Sequence, residues 1–175
     1  MARMGHWLFA VMAGATWCVP SLVADTQPVP GKGPWKVGLA AATVTPRKPV
    51  YLSGYASRNH PFESVEADLY VKALALEDQA GHRTVLVTAD IIGFRIEMTR
   101  RIWEGVEKTT GLKPHQVLLN ASHTHTGPAV SLDPTPTARN QSEQQARDTV
   151  EYTNWLIGQV IETVRRACQN MQPGR

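Results

Sequence analysis

Two histidines with one residue between them are the clearest candidates for chemistry in this sequence. His123 and His125 stand in the stretch SHTHTGP, residues 122–128, directly after the apolar run 116–121. In an extended backbone, side chains two positions apart point to the same side, so both imidazoles can address one point in space. Neutral imidazole nitrogen is a common ligand of Zn²⁺. The spacing therefore predicts either a metal-binding pair or a pair of hydrogen-bonded loop histidines, and by itself it does not choose between them.

Asp90 is the carboxylate that we expect beside this pair. It ends the apolar run 84–89, and if that run is a parallel neighbour of the run 116–121, both carboxyl ends lie at one edge of the sheet, where ligands bind in open α/β sheets. There Asp90 could act in catalysis by orienting a ligating imidazole through its second nitrogen, or could bind the metal itself. The alternative is an acid or cap at the N-terminus of the next helix.

The loop GYASR, residues 54–58, is a second candidate. The ring of Tyr55 and the guanidinium of Arg58 could line a cleft and hold a carbonyl or hydroxyl group of a substrate. The alternative is an ordinary turn with an exposed arginine. The remaining histidines near the middle of the chain fall in turns and loops, so we expect surface positions for His60, His82 and His115.

The order of the apolar runs predicts an α/β fold. The runs 35–44, 69–77, 83–90 and 116–121 have the composition of strands, and a hairpin-type turn in which Gly81 supplies a positive φ joins the second run to the third. The run 84–89 is apolar at nearly every position, which predicts a central strand covered on both faces, and 116–121 reads as another buried strand.

Two helices are predicted where apolar residues recur every four positions. The first carries Phe94, Met98, Ile102 and Val106 and ends at Gly111; the second carries Tyr152, Leu156, Val160, Val164 and Cys168. The first helix lies between two strands, which predicts at least one β-α-β crossover. The expected architecture is a mixed sheet with helices packed on it.

The N-terminus predicts export. Residues 1–24 combine a short polar lead, an apolar run and a small residue, Ala24, at the expected cleavage site. A membrane anchor is the alternative, but Pro20 interrupts an apolar run that is already shorter than the roughly 20 residues that span a bilayer. Residues 25–34 are rich in proline and glycine, which predicts a flexible lead-in. The mature protein is then secreted or periplasmic, with no stable membrane span.

Cysteine content and charge exclude two classes of protein. Cleavage after Ala24 removes Cys18 and leaves Cys168, so the mature chain cannot form an intramolecular disulfide. The formal net charge is only +3, and the lysines and arginines are scattered rather than clustered. A nucleic-acid-binding surface is therefore not expected.

Six motifs follow one another along the chain: VG at 37–38, VTP at 44–46, GYASR at 54–58, DLYVKALAL at 68–76, TAD at 88–90 and SHTHTGP at 122–128. Together, in this order, they resemble the N-terminal domain of the neutral/alkaline, non-lysosomal ceramidases. The last motif is the most specific, and the resemblance covers most of the chain from about residue 35 onward.

This resemblance implies a secreted zinc amidohydrolase that cleaves the amide bond of ceramide (N-acylsphingosine) to a fatty acid and sphingosine. It makes His123 a zinc ligand and places His125 in the active site. In such an enzyme Zn²⁺ lowers the pKa of a bound water and polarises the amide carbonyl.

The resemblance also implies that the metal site is incomplete. The family's other ligands, a second histidine, a glutamate and a tyrosine, have no match in this sequence, whereas a catalytic zinc needs about three protein ligands. We therefore expect residues 35–175 to be the N-terminal part of a catalytic domain, lacking its downstream part and inactive alone. Two alternatives stay open: a zinc hydrolase for a different amide or ester, and an exported ligand-binding module without enzymatic activity.

Overall fold

The structure is a computed structural model that describes residues 35–174. The predicted signal peptide, residues 1–24, and the predicted lead-in, residues 25–34, lie outside the described residues.

A mixed β-sheet forms the centre of the fold. Within residues 35–174 it has five strands: β1 (Lys36–Thr43), β2 (Tyr70–Glu77), β3 (Arg83–Ala89), β4 (Val117–Ala121) and the short β5 (Gln172–Pro173). Their order across the sheet is β4-β3-β2-β1-β5. The pairs β1–β2, β2–β3 and β1–β5 are antiparallel, and β3–β4 is parallel. The α/β class and the mixed sheet predicted from the sequence are confirmed.

Two α-helices and a short 3₁₀ helix (Pro114–Gln116) are the helical elements of the described part of the chain. Helix α1 (Ile96–Thr110) connects β3 to the parallel β4, which confirms the β-α-β crossover, and helix α2 (Glu143–Gln169) follows the long loop after β4. Helix α1 ends at Gly111, whose φ of 76° is the left-handed conformation that glycine adopts without a steric penalty. The side chain of Ser142 caps α2 by accepting a hydrogen bond from the Gln145 backbone N–H.

The hydrophobic core lies between one face of the sheet and the two helices. The core includes side chains from alternate positions of the strands and from the apolar stripes of the helices: Val71, Ala73, Ala75, Val85, Val87, Ala89, Met98, Ile102, Val106, Leu156, Val160 and Val164. Cys168 packs against this core and is half-buried, and burial raises the pKa of its thiol, as expected for an unreactive packing residue.

The other face of the sheet is open in the described part of the chain. Leu39 is 66% exposed, Leu118 63% and Leu86 37%. The prediction that the run 84–89 is covered on both faces is therefore wrong for these residues, and so is the prediction that β4 is buried. The physical reason is the alternation of side chains in a strand: the helices cover only the face that carries Val85 and Val87.

The parallel pairing of β3 and β4 positions the candidate site. Ala89 lies opposite Ala121, and the Ser122 backbone N–H donates a 3.0 Å hydrogen bond to the Ala89 carbonyl. The chain segments that carry Asp90 and His123 therefore leave the sheet side by side, as predicted. Among residues 35–174 no helix has the length and apolarity needed to cross a bilayer.

Candidate functional site

His123 is held in one orientation by the backbone of the neighbouring segment. Its Nδ1 lies 2.7 Å from the carbonyl oxygen of Ile92. A carbonyl oxygen only accepts, so Nδ1 carries the hydrogen and, in the neutral ring, Nε2 keeps its lone pair. The ring is exposed. This is the arrangement found in metal-binding histidines, where a carbonyl fixes the tautomer and the opposite nitrogen faces the metal.

The backbone of His123 is also unusual. Its φ is 56°, in the left-handed region that is unfavourable for residues other than glycine. Strand β4 ends at Ala121, so the His-x-His segment is irregular backbone that leads into a turn at His125, and not an extended strand. The two imidazoles do approach each other as predicted, but the predicted reason, an extended backbone, is wrong. A left-handed residue outside glycine is the kind of local strain that occurs at functional sites.

His125 lies between His123 and an aromatic neighbour. Its ring centroid is 5.4 Å from that of His123, with the planes tilted by 59°. The Tyr55 ring meets His125 edge to face, at 5.0 Å between centroids and 78° between planes. The structure therefore brings together His123, His125 and Tyr55, all of which the sequence had marked as candidates.

Loop 51–58 is fastened to the histidine loop by backbone hydrogen bonds. Ser53 N–H donates to Gly127 O at 3.0 Å, and Ala129 N–H donates to Tyr51 O at 2.8 Å. These bonds form a short antiparallel contact between segments 51–53 and 127–129. The contact explains why two loops that are distant in sequence form one site.

Arg58 ties the same two loops through its side chain. Its Nη1 donates to the carbonyl of His125 at 2.6 Å and also to the carbonyl of Ser53. Its guanidinium carbon lies 4.9 Å from the centroid of the Tyr55 ring, within the range of a cation–π contact. Arg58 is therefore partly buried and bonded within the protein, unlike the exposed arginine of the alternative, and its contact with a substrate stays a prediction.

Asp90 is hydrogen-bonded to the backbone of Tyr70, the first residue of β2. Its Oδ2 accepts a 2.9 Å hydrogen bond from the backbone N–H of Tyr70, and its own N–H donates to Tyr70 O at 3.0 Å. The residue that orients Nδ1 of His123 is Ile92, so Asp90 does not fill that particular role. The capping alternative is also wrong, because the N-cap of α1 is Arg95. A direct role of Asp90 in catalysis stays a prediction.

A broad cleft of about 580 Å³ adjoins the site. Its walls come from loop 51–58, from residues 92–95 and from residues 129–141. Tyr55, Arg58 and Ile92 line it, so the cleft reaches the residues that contact or orient both histidines. Apolar and polar surfaces contribute to the lining, which suits a ligand that has both an apolar part and a hydrogen-bonding group.

The histidines fit part of a metal site. Nε2 of His123 is available as a ligand, and His125 is close enough to act in the same site. However, no group of three or more histidine, cysteine, aspartate or glutamate side chains in residues 35–174 is arranged to hold a metal ion. If a metal binds here, the described residues would supply at most the two histidines, and a catalytic zinc would need a further protein ligand.

The remaining histidines are at the surface, as predicted. His60, His82 and His115 are all exposed. His82 pairs with Asp78 at 2.9 Å inside the β2–β3 turn, and His60 lies 3.8 Å from Glu63. These contacts are local, so these histidines have no part in the candidate site.

Sequence reasoning missed two groups that shape the site. Gly54 enters the sequence prediction only as part of the GYASR motif, yet a Cβ at this position would lie 2.4 Å from Cγ of His125. A glycine four residues before an arginine in a loop is the available indication. The carbonyl of Ile92 had no indication at all, because every residue type carries the same carbonyl group.

Comparison with known proteins identifies relatives of this architecture. Residues 35–175 match the family described as "Neutral/alkaline non-lysosomal ceramidase, N-terminal". A solved "Ceramidase complexed with C2" is 22% identical with a TM-score of 0.67, covering 82% of this chain and 22% of that chain. The neutral ceramidase from Pseudomonas aeruginosa is 22% identical with a TM-score of 0.65, covering 82% of this chain and 23% of that one.

At this identity the two structures show likeness of fold only. The chain spans less than a quarter of the length of either ceramidase. No curated protein sequence matches the chain.

Proposed function

Because this chain belongs to the neutral/alkaline non-lysosomal ceramidase family through its N-terminal domain, we propose that it forms part of a zinc-dependent amidohydrolase. The proposed reaction is hydrolysis of the amide bond of ceramide-like N-acyl lipids, giving a fatty acid and a sphingoid base. We propose that the protein is secreted or periplasmic, because residues 1–24 are predicted to be an export signal.

The observation that carries the proposal is the fixed tautomer of His123. Its Nδ1–H bond to the Ile92 carbonyl leaves Nε2 as the free nitrogen of an exposed ring. We assign Nε2 as a zinc ligand. When bound, zinc supplies a Lewis acid that polarises an amide carbonyl and lowers the pKa of a bound water.

The other residues of the site bind and orient the substrate and move protons. His125 is the candidate acid–base group: an imidazole nitrogen can take up a proton during attack on the carbonyl and return it to the leaving amine nitrogen. Tyr55, which contacts His125 and lines the cleft, is placed to pack against the substrate on one side. Asp90 anchors the start of β2 beside this site, and its proposed catalytic role has no support beyond its position.

The cleft supports a lipid amide as the substrate. Phe94 and Tyr55 offer apolar surface in its wall, while Ser131 offers a hydrogen-bonding group. The neighbouring structure described as a ceramidase complexed with C2 is consistent with this class. A different amide or ester remains the second candidate, because family membership fixes the architecture more firmly than the substrate.

We further propose that the chain is inactive alone. The lack of a three-ligand group among residues 35–174 means that His123 and His125 need partners from elsewhere in the complete protein. A two-histidine site binds zinc more weakly than a site with three protein ligands and offers no rigid geometry for catalysis.

The test compares two proteins, the chain of residues 25–175 and the complete protein encoded by the gene. Zinc content and hydrolysis of a short-chain fluorescent ceramide, a matched N-acyl amine and a matched ester are measured for both. We expect about one tightly bound zinc and ceramide turnover for the complete protein only, with loss of activity on chelation and recovery on adding zinc.

Each contrary result removes a separate part of the proposal. Tight stoichiometric zinc and turnover by residues 25–175 would refute the need for further ligands. Preference of the complete protein for the ester or the simple amine amide would replace the substrate. A complete protein that binds no zinc would leave the non-enzymatic binding module as the remaining function.

A further inference from the structure

The hydrogen bonds of Arg58 suggest a role that the proposed function does not include. One of the two predictions from the sequence is that Arg58 holds a carbonyl or hydroxyl group of the substrate. In the structure its Nη1 instead donates to two carbonyls of the protein, those of His125 and Ser53. Charge-assisted bonds to carbonyls are stronger than neutral ones, so this guanidinium is held in place by the protein itself.

The two carbonyls that Arg58 binds belong to two different loops, so its hydrogen bonds connect these loops. The backbone contact between segments 51–53 and 127–129 fastens the chain from Gly127 onward. His125 lies two residues before that contact, in the turn that follows β4. Arg58 extends this fastening back to His125, because its Nη1 donates to the carbonyl of His125 as well as to that of Ser53.

Contacts around Arg58 continue to the ring of His125. The guanidinium carbon is 4.9 Å from the Tyr55 ring centroid, and Tyr55 in turn meets His125 at 5.0 Å. The backbone N–H of Arg58 donates to Tyr55 O at 3.2 Å, which closes the turn that carries both Tyr55 and Arg58. Arg58 therefore constrains both the backbone of His125 and the aromatic ring that packs against it.

We propose that Arg58 is a positioning residue, which fixes His125 relative to His123, and that it acts through His125 and not by binding the substrate. This inference rests on the proposed role of the histidine pair. Arginine suits the task because its planar guanidinium can bond to carbonyls in its plane and stack on a ring with its face. Lysine provides the charge and donors but no face to stack.

The first experiment uses the complete protein and the variants Arg58→Ala and Arg58→Lys. If Arg58 positions His125, Arg58→Ala lowers kcat about 100-fold, the order of loss expected from a misplaced catalytic group, while KM changes less than about threefold. Arg58→Lys recovers part of kcat. Zinc content stays near that of the wild type, because Ile92 and not Arg58 orients His123.

Chemical rescue tests the same point in a way that a general loss of stability would not reproduce. Free guanidinium at concentrations below about 0.1 M, well under the denaturing range, should raise the activity of Arg58→Ala at least about tenfold in a saturable manner. Arg101→Ala is the matched control: Arg101 donates to Asn154 Oδ1 at 3.0 Å between α1 and α2, and its loss should neither lower kcat nor respond to guanidinium.

A readout that does not need activity separates this inference from the proposed function. In protein labelled with ¹³C at the histidine Cε1 atom, Arg58→Ala should shift or broaden the His125 resonance and leave those of His82 and His115 unchanged. If the wild type cleaves no ceramide but this change is seen, the function fails and the positioning role stands. A rise in KM with unchanged kcat, or an unaltered His125 resonance, would overturn the positioning role.

Discussion

Gly54 lies against the ring of His125 so closely that a methyl group at position 54 would be 2.4 Å from His125 Cγ and 2.6 Å from its Cβ. The φ of Gly54 is 104°, which residues with a side chain rarely adopt. The same position therefore requires glycine for two independent reasons, its backbone conformation and its neighbour. Only the second reason concerns the proposed chemistry.

The variant Gly54→Ala combines both effects, and comparison with a strained glycine that has no close neighbour separates them. The added Cβ must displace His125, and a displacement of about 1 Å can cost about 100-fold in rate. We expect kcat/KM of the complete protein to fall by that order, in a steady-state assay of ceramide hydrolysis. The strained backbone adds about 1–2 kcal/mol of destabilisation, measurable by urea unfolding.

Gly81→Ala is the matched control for Gly54→Ala. Gly81 has a φ of 85° in the β2–β3 turn, but an added Cβ would meet nothing within 4 Å. This variant should lose a similar free energy of unfolding and keep its activity. Equal losses of activity in the two variants would show that backbone strain alone, and not the contact with His125, accounts for the effect.

His123 offers a test in which metal binding and stability are expected to separate. Its ring is exposed and its φ is 56°, a conformation that asparagine tolerates better than most residues. We expect His123→Asn to change the free energy of unfolding by less than about 0.5 kcal/mol and to abolish tight zinc binding by the complete protein. Zinc content by atomic absorption and urea unfolding provide the two measurements.

His82→Asn serves as the control, because His82 is also an exposed histidine but lies in the β2–β3 turn. It should retain about one zinc and full activity. Loss of fold in His123→Asn would mean that the ring is a structural group, and retained zinc would assign the metal to other residues.

The ion-paired Glu77 predicts how stability depends on pH. This buried carboxylate accepts a hydrogen bond from Lys36 Nζ at 2.7 Å and one from Arg83 Nε at 3.0 Å. The bond from Lys36 and then that from Arg83 hold the pKa of Glu77 below its ordinary value of 4.5, against an opposing effect of burial. A lowered pKa means that the folded state binds the proton more weakly than the unfolded state.

The stabilising effect of Glu77 is therefore complete above pH 4.5 and is lost as the pH falls through the lower pKa of the folded state. We expect Glu77→Gln to be less stable than the wild type at about pH 7, because two cations lose their partner, and the difference to shrink at about pH 3. Urea unfolding at both pH values measures it. Glu104→Gln, which removes an exposed carboxylate from α1, should show no such trend, and a difference independent of pH would contradict the assignment.

Much of the fold follows from the sequence because local patterns determine it. The run 83–89 is rich in β-branched and apolar residues, and the four-residue recurrence of Met98, Ile102 and Val106 corresponds to the buried side of α1. The parallel pairing of β3 with β4 followed from the order of these elements. Asp90 and His123 could thus be expected at one end of the sheet without knowledge of the structure.

What could not be predicted depends on contacts that leave no trace in residue types. The bond that fixes the tautomer of His123 goes to a backbone carbonyl, and the partner of Arg58 is likewise a carbonyl, 67 positions away in the chain. The exposure of Leu86 and Leu118 could not be predicted from the sequence either. An apolar side chain indicates that its face of the sheet favours burial. It does not indicate whether residues 35–174 include an element that packs on that face.

Close packing of α2 on the sheet predicts opposite effects for two glycines. A Cβ on Gly38 of β1 would lie 1.9 Å from the Ala167 carbonyl oxygen, which belongs to the backbone of α2 and cannot move aside alone. Gly38→Ala should therefore destabilise the chain by about 1–3 kcal/mol. Gly158 lies inside α2 with nothing within 4 Å of an added Cβ, so Gly158→Ala should stabilise it by about 0.5–1 kcal/mol. Urea unfolding of both variants tests the packing, and a neutral Gly38→Ala would contradict it.

The open face of the sheet predicts self-association of the chain when it is produced alone. Leu39 and Leu118 are more than 60% exposed on this face, and β4, which carries Leu118, pairs only with β3 in the described part of the chain. Exposed leucines beside an unpaired strand edge favour association, and lysine opposes it. We expect the double variant Leu39→Lys/Leu118→Lys to shift the weight-average mass towards the monomer in sedimentation equilibrium. Its free energy of unfolding should change by less than about 1 kcal/mol, because neither side chain is buried.

Ile96→Lys, which places a lysine at a 61% exposed position at the start of α1, should leave the association unchanged. An equal effect of Ile96→Lys would mean that added charge, and not removal of the apolar face, keeps the chain monomeric.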